Sequence, residues 1–165
     1  MTRQKDDWYP TPHTAIKSLL DVEVFDPVIW EPAAGDGAIS KVLELACYEV
    51  VSQDLNDYGY CASGLDFLMA TEREADCLVT NPPYKLAQQF IEHAIGLGVK
   101  KHAWLLRLSF LEGRGRFLEL FDNYPPSRIH VFSKRLTIWR GGEAPAGTGT
   151  TAYAWFVWNS NYNGV

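Results

Sequence analysis

Apolar positions along the chain fall into short blocks that switch between two spacings. Val28-Ile29-Trp30 is a compact β-forming run halted by Glu31-Pro32, which predicts a buried strand. From Ala38 to Ala46 the pattern changes to helical spacing, with Ile39, Val42, Leu43 and Ala46 on one face. Glu49 to Asp54 and Ala75 to Val79 read as strands, and Ala87, Phe90, Ile91, Ala94 and Ile95 mark a helix after the second of them. His102 to Phe110, Arg128 to Phe132 and Ala152 to Trp158 are further strands, with a helix over Arg116 to Phe121. Strands alternating with helices predict an α/β fold whose sheet is mainly parallel and covered by helices on both faces. We expect about seven strands. Only Gly141 to Thr151, rich in glycine, separates the last two, which predicts a C-terminal antiparallel hairpin. No internal repeat is visible, and residues 1–165 are the size of one domain.

Composition narrows the class. An apolar fraction of 47%, with 13% aromatics, is enough for a real core and argues against disorder. No run of about 18 apolar residues exists to span a membrane, and the polar start Met1 to Asp7 has no secretory h-region. Cys47, Cys61 and Cys77 are odd in number and lack Cys-x-x-Cys spacing, and the four histidines are scattered. These facts disfavour a disulfide framework and a metal site, fit a reducing cytoplasm, and predict that the cysteines are small core residues. Trp139, Trp155 and Trp158 are read as core packing in preference to a dimer face. The net charge of −5 conceals an asymmetry: residues 1–80 carry 5 basic against 15 acidic residues, and residues 81–165 carry the other 10 basic against 5 acidic. The second half can therefore meet a polyanion that the first half repels.

Two stretches carry chemistry. Cys77-Leu78-Val79 ends in Asn81-Pro82-Pro83-Tyr84, where two prolines stop any central strand. Glu31 to Ile39 carries Gly35 and Gly37 at a strand-to-helix turn, the place where open α/β sheets bind ligands. The turn lacks the Walker spacing of a P-loop. A dinucleotide fingerprint needs a third glycine where Ser40 stands, although Asp54 lies where a ribose-binding acid belongs. A plain βα turn stays open as a reading. Glu31 and Asp36 would repel phosphates and attract a cation, so a ligand with a ribose and no pyrophosphate fits better, and S-adenosylmethionine is such a ligand.

Glu31-Pro32-Ala33-Ala34-Gly35-Asp36-Gly37, then Asp54-Leu55, Asp66-Phe67 and Asn81-Pro82-Pro83-Tyr84 resemble the motif series of class I S-adenosylmethionine-dependent amino-methyltransferases, above all the DNA adenine-N6 methyltransferases. Asp7-Trp8-Tyr9-Pro10-Thr11-Pro12 resembles the N-terminal motif of that family, so the resemblance runs from about residue 7 to 158. It implies a Rossmann-like methyltransferase fold. It also implies that Tyr9, Thr11 and Pro12 close over the methionine end, and that Glu31, Pro32, Ala33, Gly35, Asp36 and Gly37 form the cofactor turn. Asp54 and Leu55 would lie at the ribose, Asp66 and Phe67 at the adenine. Asn81, Pro82 and Tyr84 would be catalytic, with Asn81 also touching the cofactor. The Asn81 oxygen and the Pro82 carbonyl would accept the hydrogens of a target amino group, and Tyr84 would stack on the base.

The partner implied is nucleic acid, DNA first. Lys85, Arg107, Arg114, Arg116, Arg128, Lys134, Arg135 and Arg140 are candidates for a phosphate-binding face, with Gly113-Arg114-Gly115-Arg116 foremost. Such methyltransferases usually carry a substantial target-recognition region. Here only residues 111–127 and 141–151 offer loops, so sequence selectivity is open, as is a partner subunit that supplies recognition. The same tetrapeptide occurs in methyltransferases of RNA guanine N2 and of protein glutamine, and a non-catalytic cofactor-binding subunit is a further alternative.

Overall fold

The computed structural model describes residues 10–138 and 151–162. Tyr9, Trp139, Arg140 and most of the glycine-rich loop at 141–151 lie outside the described residues. The strands are β1 (Val28–Glu31), β2 (Glu49–Ser52), β3 (Cys77–Thr80), β4 (Lys101–Arg107), β5 (Arg128–Val131) and β6 (Tyr153–Asn159). They form one sheet in the order β2-β1-β3-β4-β6-β5. The pairs from β2 through β4 are parallel, and β6 runs antiparallel to both β4 and β5. The antiparallel pair is thus present, with β6 inside the sheet and β5 at its edge.

The described residues make six strands where about seven were expected. Beyond β2 the chain makes a single parallel bridge, Gln53 to Ala62, and then a one-turn 3₁₀ helix at Phe67–Met69. Asp66 caps that turn by accepting from the Leu68 N–H at 3.0 Å. Glycines with positive φ at 59 and 64 turn the intervening chain away from a strand.

Among the described residues three helices cover the sheet: α1 (His13–Leu20), α2 (Ala38–Leu45) and α3 (Ala87–Gly96). The helix expected at Arg116–Phe121 is an α-turn, Arg114–Arg116, running into a π-helical turn, Phe117–Phe121. Both faces are buried at the centre of the sheet, which explains why β1, β3, β4 and β6 read as apolar runs, while the edge strands β2 and β5 are half-buried. Ile29, Val79, Leu105 and Trp155 pack toward α1 and α2, while Trp30, Leu78, Trp104 and Phe156 pack toward α3. Trp155 Nε1 donates to the Ala15 carbonyl at 2.9 Å and ties α1 to the sheet. Trp158 is likewise core, its Nε1 donating to Tyr124. Among the described residues no helix is long and apolar enough to cross a membrane, and no cluster of metal-ligating side chains occurs.

The cysteines depart from expectation. Cys77 is buried, but Cys61 is half-buried and Cys47 is exposed. Cys47 sits at φ 68°, just after α2, where its N–H donates to Glu44 and the Tyr48 N–H donates to Leu43. This is the Schellman close of a helix, which puts its left-handed residue at the surface.

Candidate functional site

β1 and β3 are neighbours in the sheet, and the connections leaving them diverge, α2 to one face and α3 to the other. That divergence opens a crevice beyond the carboxyl ends of the strands. A cavity of about 400 Å³ fills it, within the roughly 300–1,000 Å³ typical of small-molecule sites. Glu31 ends β1, Asp54 follows β2 and Asn81 follows β3, so three strand ends deliver their polar side chains to one place.

The wall includes Thr11, Glu31, Pro32, Ala33, Asp36, Asp54, Leu55, Asp66, Asn81 and Pro82. These come from five separated stretches of sequence, and each was singled out from the sequence. Glu31 is 1% exposed, and Ser40 Oγ donates to its Oε2 and shares a hydrogen bond with Ser52 Oγ at 2.7 Å. Burial pushes the Glu31 carboxyl up to about 8, against the Ser40 hydrogen bond, with the charges of Asp54 and Asp36 adding to the rise. A buried acid that is neutral near pH 7 is primed to ionise when a cation arrives.

Asp54 holds the turn together. Its Oδ2 accepts from the Gly35 N–H at 2.9 Å and its Oδ1 from Asn56 at 2.8 Å. Gly35 and Gly37 have φ of 57° and 79°, a region that favours glycine. Neither lines the cavity, although both were expected against a ligand. A Cβ on Gly37 would stand 2.5 Å from the Tyr60 ring, so the missing side chain makes room for Tyr60. Tyr60 is anchored under the Lys41 ammonium at 4.8 Å.

Asn81 is arranged differently. Its Nδ2 donates to Thr11 Oγ1 at 3.1 Å, while its Oδ1 is buried with no hydrogen-bond partner. A buried unpaired acceptor is uncommon and costs about 1–3 kcal/mol. Thr11 fixes the amide and leaves that oxygen free.

Other expected residues fall elsewhere. Phe67 is core, packed on Trp30 at 5.0 Å and Phe90 at 4.9 Å; the cavity wall takes Leu68 in its place. Pro12 caps the start of α1 outside the wall. Tyr84 is absent from the wall and lies beside Tyr153, ring centroids 6.1 Å apart, with the Arg107 guanidinium 5.0 Å from its ring. Burial raises the Tyr84 phenol well above its ordinary value.

The basic face is smaller than its residue count. Arg128 is bound to Glu23 through two hydrogen bonds at the amino end of the sheet, far from the cavity. Arg116 donates to the carbonyls of Phe110 and Glu112. Lys85 lies on the cavity wall, and Arg107, Arg114 and Lys134 are exposed. Sequence reasoning missed Asn56, Tyr58, Leu68, Leu86 and Phe90 on the wall. Each sits within two turns of a motif residue, and flanking position was the signal available.

No protein-family model and no curated protein matches the chain. Solved structures do. A candidate RNA methyltransferase from Pyrococcus horikoshii matches with TM-score 0.71 at 15% identity, over 96% of this chain and 90% of that one. Magnesium protoporphyrin IX methyltransferase from Synechocystis, solved with bound S-adenosylmethionine, matches with TM-score 0.57 at 12% identity, over 89% of this chain and 79% of that one. The modification subunit of a candidate type I restriction enzyme from Vibrio vulnificus matches with TM-score 0.59 at 12% identity, over 93% of this chain and 45% of that one. The chain has the Rossmann-like methyltransferase fold.

Proposed function

We propose that this chain is an S-adenosylmethionine-dependent N-methyltransferase acting on the exocyclic N6 amino group of adenine in DNA, with residues 1–165 forming one methyltransferase domain. The observation that carries the reading is the buried, unpartnered Asn81 Oδ1 beside the cavity, its amide nitrogen tied to Thr11.

The cavity suits the cofactor. Glu31, Asp36, Asp54 and Asp66 offer carboxyl groups to an ammonium, a sulfonium, ribose hydroxyls and an adenine amine, while Ile39, Leu68 and Phe90 supply apolar wall. Thr11, with Tyr9 and Pro12 nearby in sequence, belongs at the methionine end. Asp54 and Leu55 take the ribose, with Asp54 also bracing the turn that Gly35 and Gly37 shape. Asp66 takes the adenine amine, and Leu68 does the packing expected of Phe67.

Adenine's amino group is a poor nucleophile because its lone pair is delocalised into the ring. Asn81 Oδ1 and the Pro82 carbonyl accept its two hydrogens and localise that pair. Pro82 and Pro83 hold the acceptors rigidly, since their φ angles are fixed. When bound, S-adenosylmethionine supplies a methyl whose C–S bond breaks, its electron pair going to sulfur, as the N–C bond forms. The methylated nitrogen then loses a proton to solvent, so no strong base is required. Tyr84 stacks on the target base, which must be flipped out or single-stranded to reach it.

One observation favours a second reading, an RNA base amino group: the archaeal structure that spans 90% of its own length in the match is named for RNA. The Vibrio protein, named as a modification subunit, supports DNA and a recognition partner. Tritiated methyl transfer to DNA, total RNA and a protein lysate, followed by nucleoside mass spectrometry, separates them. N6-methyladenine from DNA is the expected product. Label only in RNA or protein overturns the substrate, and label nowhere despite cofactor binding favours a non-catalytic subunit.

A further inference from the structure

We propose that Arg107 is a phosphate-responsive shield over Tyr84, a positioning residue that releases the ring to the target base when a nucleic-acid backbone binds. The inference rests on the nucleic-acid reading above.

The stretch from Asn81 to Leu86 divides two spaces. Asn81, Pro82, Pro83, Lys85 and Leu86 line the cavity, while the Tyr84 ring stands apart from it beside Tyr153. In-line displacement needs the nucleophile on the side of the methyl away from its leaving group, so a base arrives from the Tyr84 side. There the Arg107 guanidinium lies 5.0 Å from the Tyr84 ring centroid, in the volume that a stacked base would need. Arg107 ends β4 directly opposite Tyr153 in the ladder, so the backbone fixes its root at this spot. Its side chain is exposed and forms no ion pair or hydrogen bond among the described residues.

A solvent-exposed guanidinium over a half-buried aromatic ring is held weakly, because water competes for the cation. A phosphate binds a guanidinium through paired charge-assisted hydrogen bonds, which are stronger and more directional. A polyanion can therefore draw Arg107 off the ring, whereas an uncharged nucleoside has nothing to offer it. The platform is closed to free bases and opened by the polymer that carries them.

The test compares wild type, Arg107→Ala and Arg107→Lys. Affinity for a labelled single-stranded oligodeoxynucleotide is read by fluorescence anisotropy across salt, and methyl transfer is read on that oligonucleotide and on adenosine. In Arg107→Ala the slope of log affinity against log salt should fall by about 0.7, the loss of one phosphate contact on a single strand. Transfer to adenosine should rise roughly two- to five-fold, the worth of an exposed cation–π contact, while transfer to the oligonucleotide falls. Arg107→Lys should keep the wild-type slope. An unchanged slope in Arg107→Ala, with wild-type binding intact, overturns the shield alone. A reduced slope without gain on adenosine overturns it too, leaving a plain phosphate contact. Absence of oligonucleotide binding by wild type overturns the nucleic-acid reading and the shield with it.

Discussion

Asn81 is fixed at its amide nitrogen and free at its oxygen, so the two halves of one side chain have separate duties. Asn81→Ala should leave S-adenosylhomocysteine affinity close to wild type by calorimetry and lower the turnover rate by at least roughly 100-fold, as for other preorganised polar groups at a transition state. Near-normal transfer would remove Asn81 from the chemistry. Glu31 carries a prediction in pH. Its acid is favoured when neutral, so its contribution to stability is full below the ordinary 4.5 and is lost as pH rises through about 8. A cationic ligand favours the carboxylate, so affinity for the cofactor should strengthen as pH rises toward 8 and then level off. Calorimetry in buffers of different ionisation enthalpy should show proton release on binding, and Glu31→Gln should abolish both effects. The motif residues were legible because their chemistry is local: an acid ending a strand and an amide before two prolines announce themselves. Phe67 was not, because a 3₁₀ turn capped by Asp66 rotates it into the core and presents Leu68.

At the scale of elements, strands were clearer than helices. Both faces of the sheet are covered at its centre, so β1, β3, β4 and β6 each carry a marked apolar run in sequence. Helix α1 escaped notice: Ala15, Ile16 and Leu19 are only a narrow stripe in eight residues. The close of α2 shows another limit. Its left-handed position is held by Cys47 with no glycine to mark it. Left-handed backbone costs an L-residue roughly 1–2 kcal/mol. Cys47→Gly should therefore stabilise the protein by about 1 kcal/mol, less the extra entropy of glycine in the unfolded chain. A thermal melt reads this directly, and a lower melting temperature would refute it.

Across the whole molecule, charge was the least legible property. A basic second half suggested one broad phosphate face, yet Arg128 crosses to the opposite end of the sheet to meet Glu23. Glu23 follows α1 and also pairs with Lys101 at 2.6 Å and His130 at 2.8 Å, joining the first helix to β4 and β5. Burial pushes its carboxyl up, but Arg128, Lys101 and His130 outweigh that and hold it at about 2. Its contribution is present above 4.5 and is lost as pH falls toward 2. The shift corresponds to about 3 kcal/mol. Urea melts at pH 6 and pH 3 should show Glu23→Gln losing less stability on acidification than wild type does. No pairing rule links residues so distant in sequence, so only the folded chain reveals them.

The placement of β6 has a consequence for biosynthesis. β6 is the last strand described, yet it fills the gap between β4 and β5, and among the described residues β5 pairs with no other strand. While the chain leaves the ribosome, β4 presents an open edge lined by Ala103, Trp104, Leu105 and Leu106 until residues past 153 emerge. An open apolar edge is a template for pairing with neighbouring chains. The nascent protein thus passes through a sticky interval that ends only when β6 slots home. Transcripts cut before Tyr153 should yield insoluble protein, which fractionation of the two products would reveal.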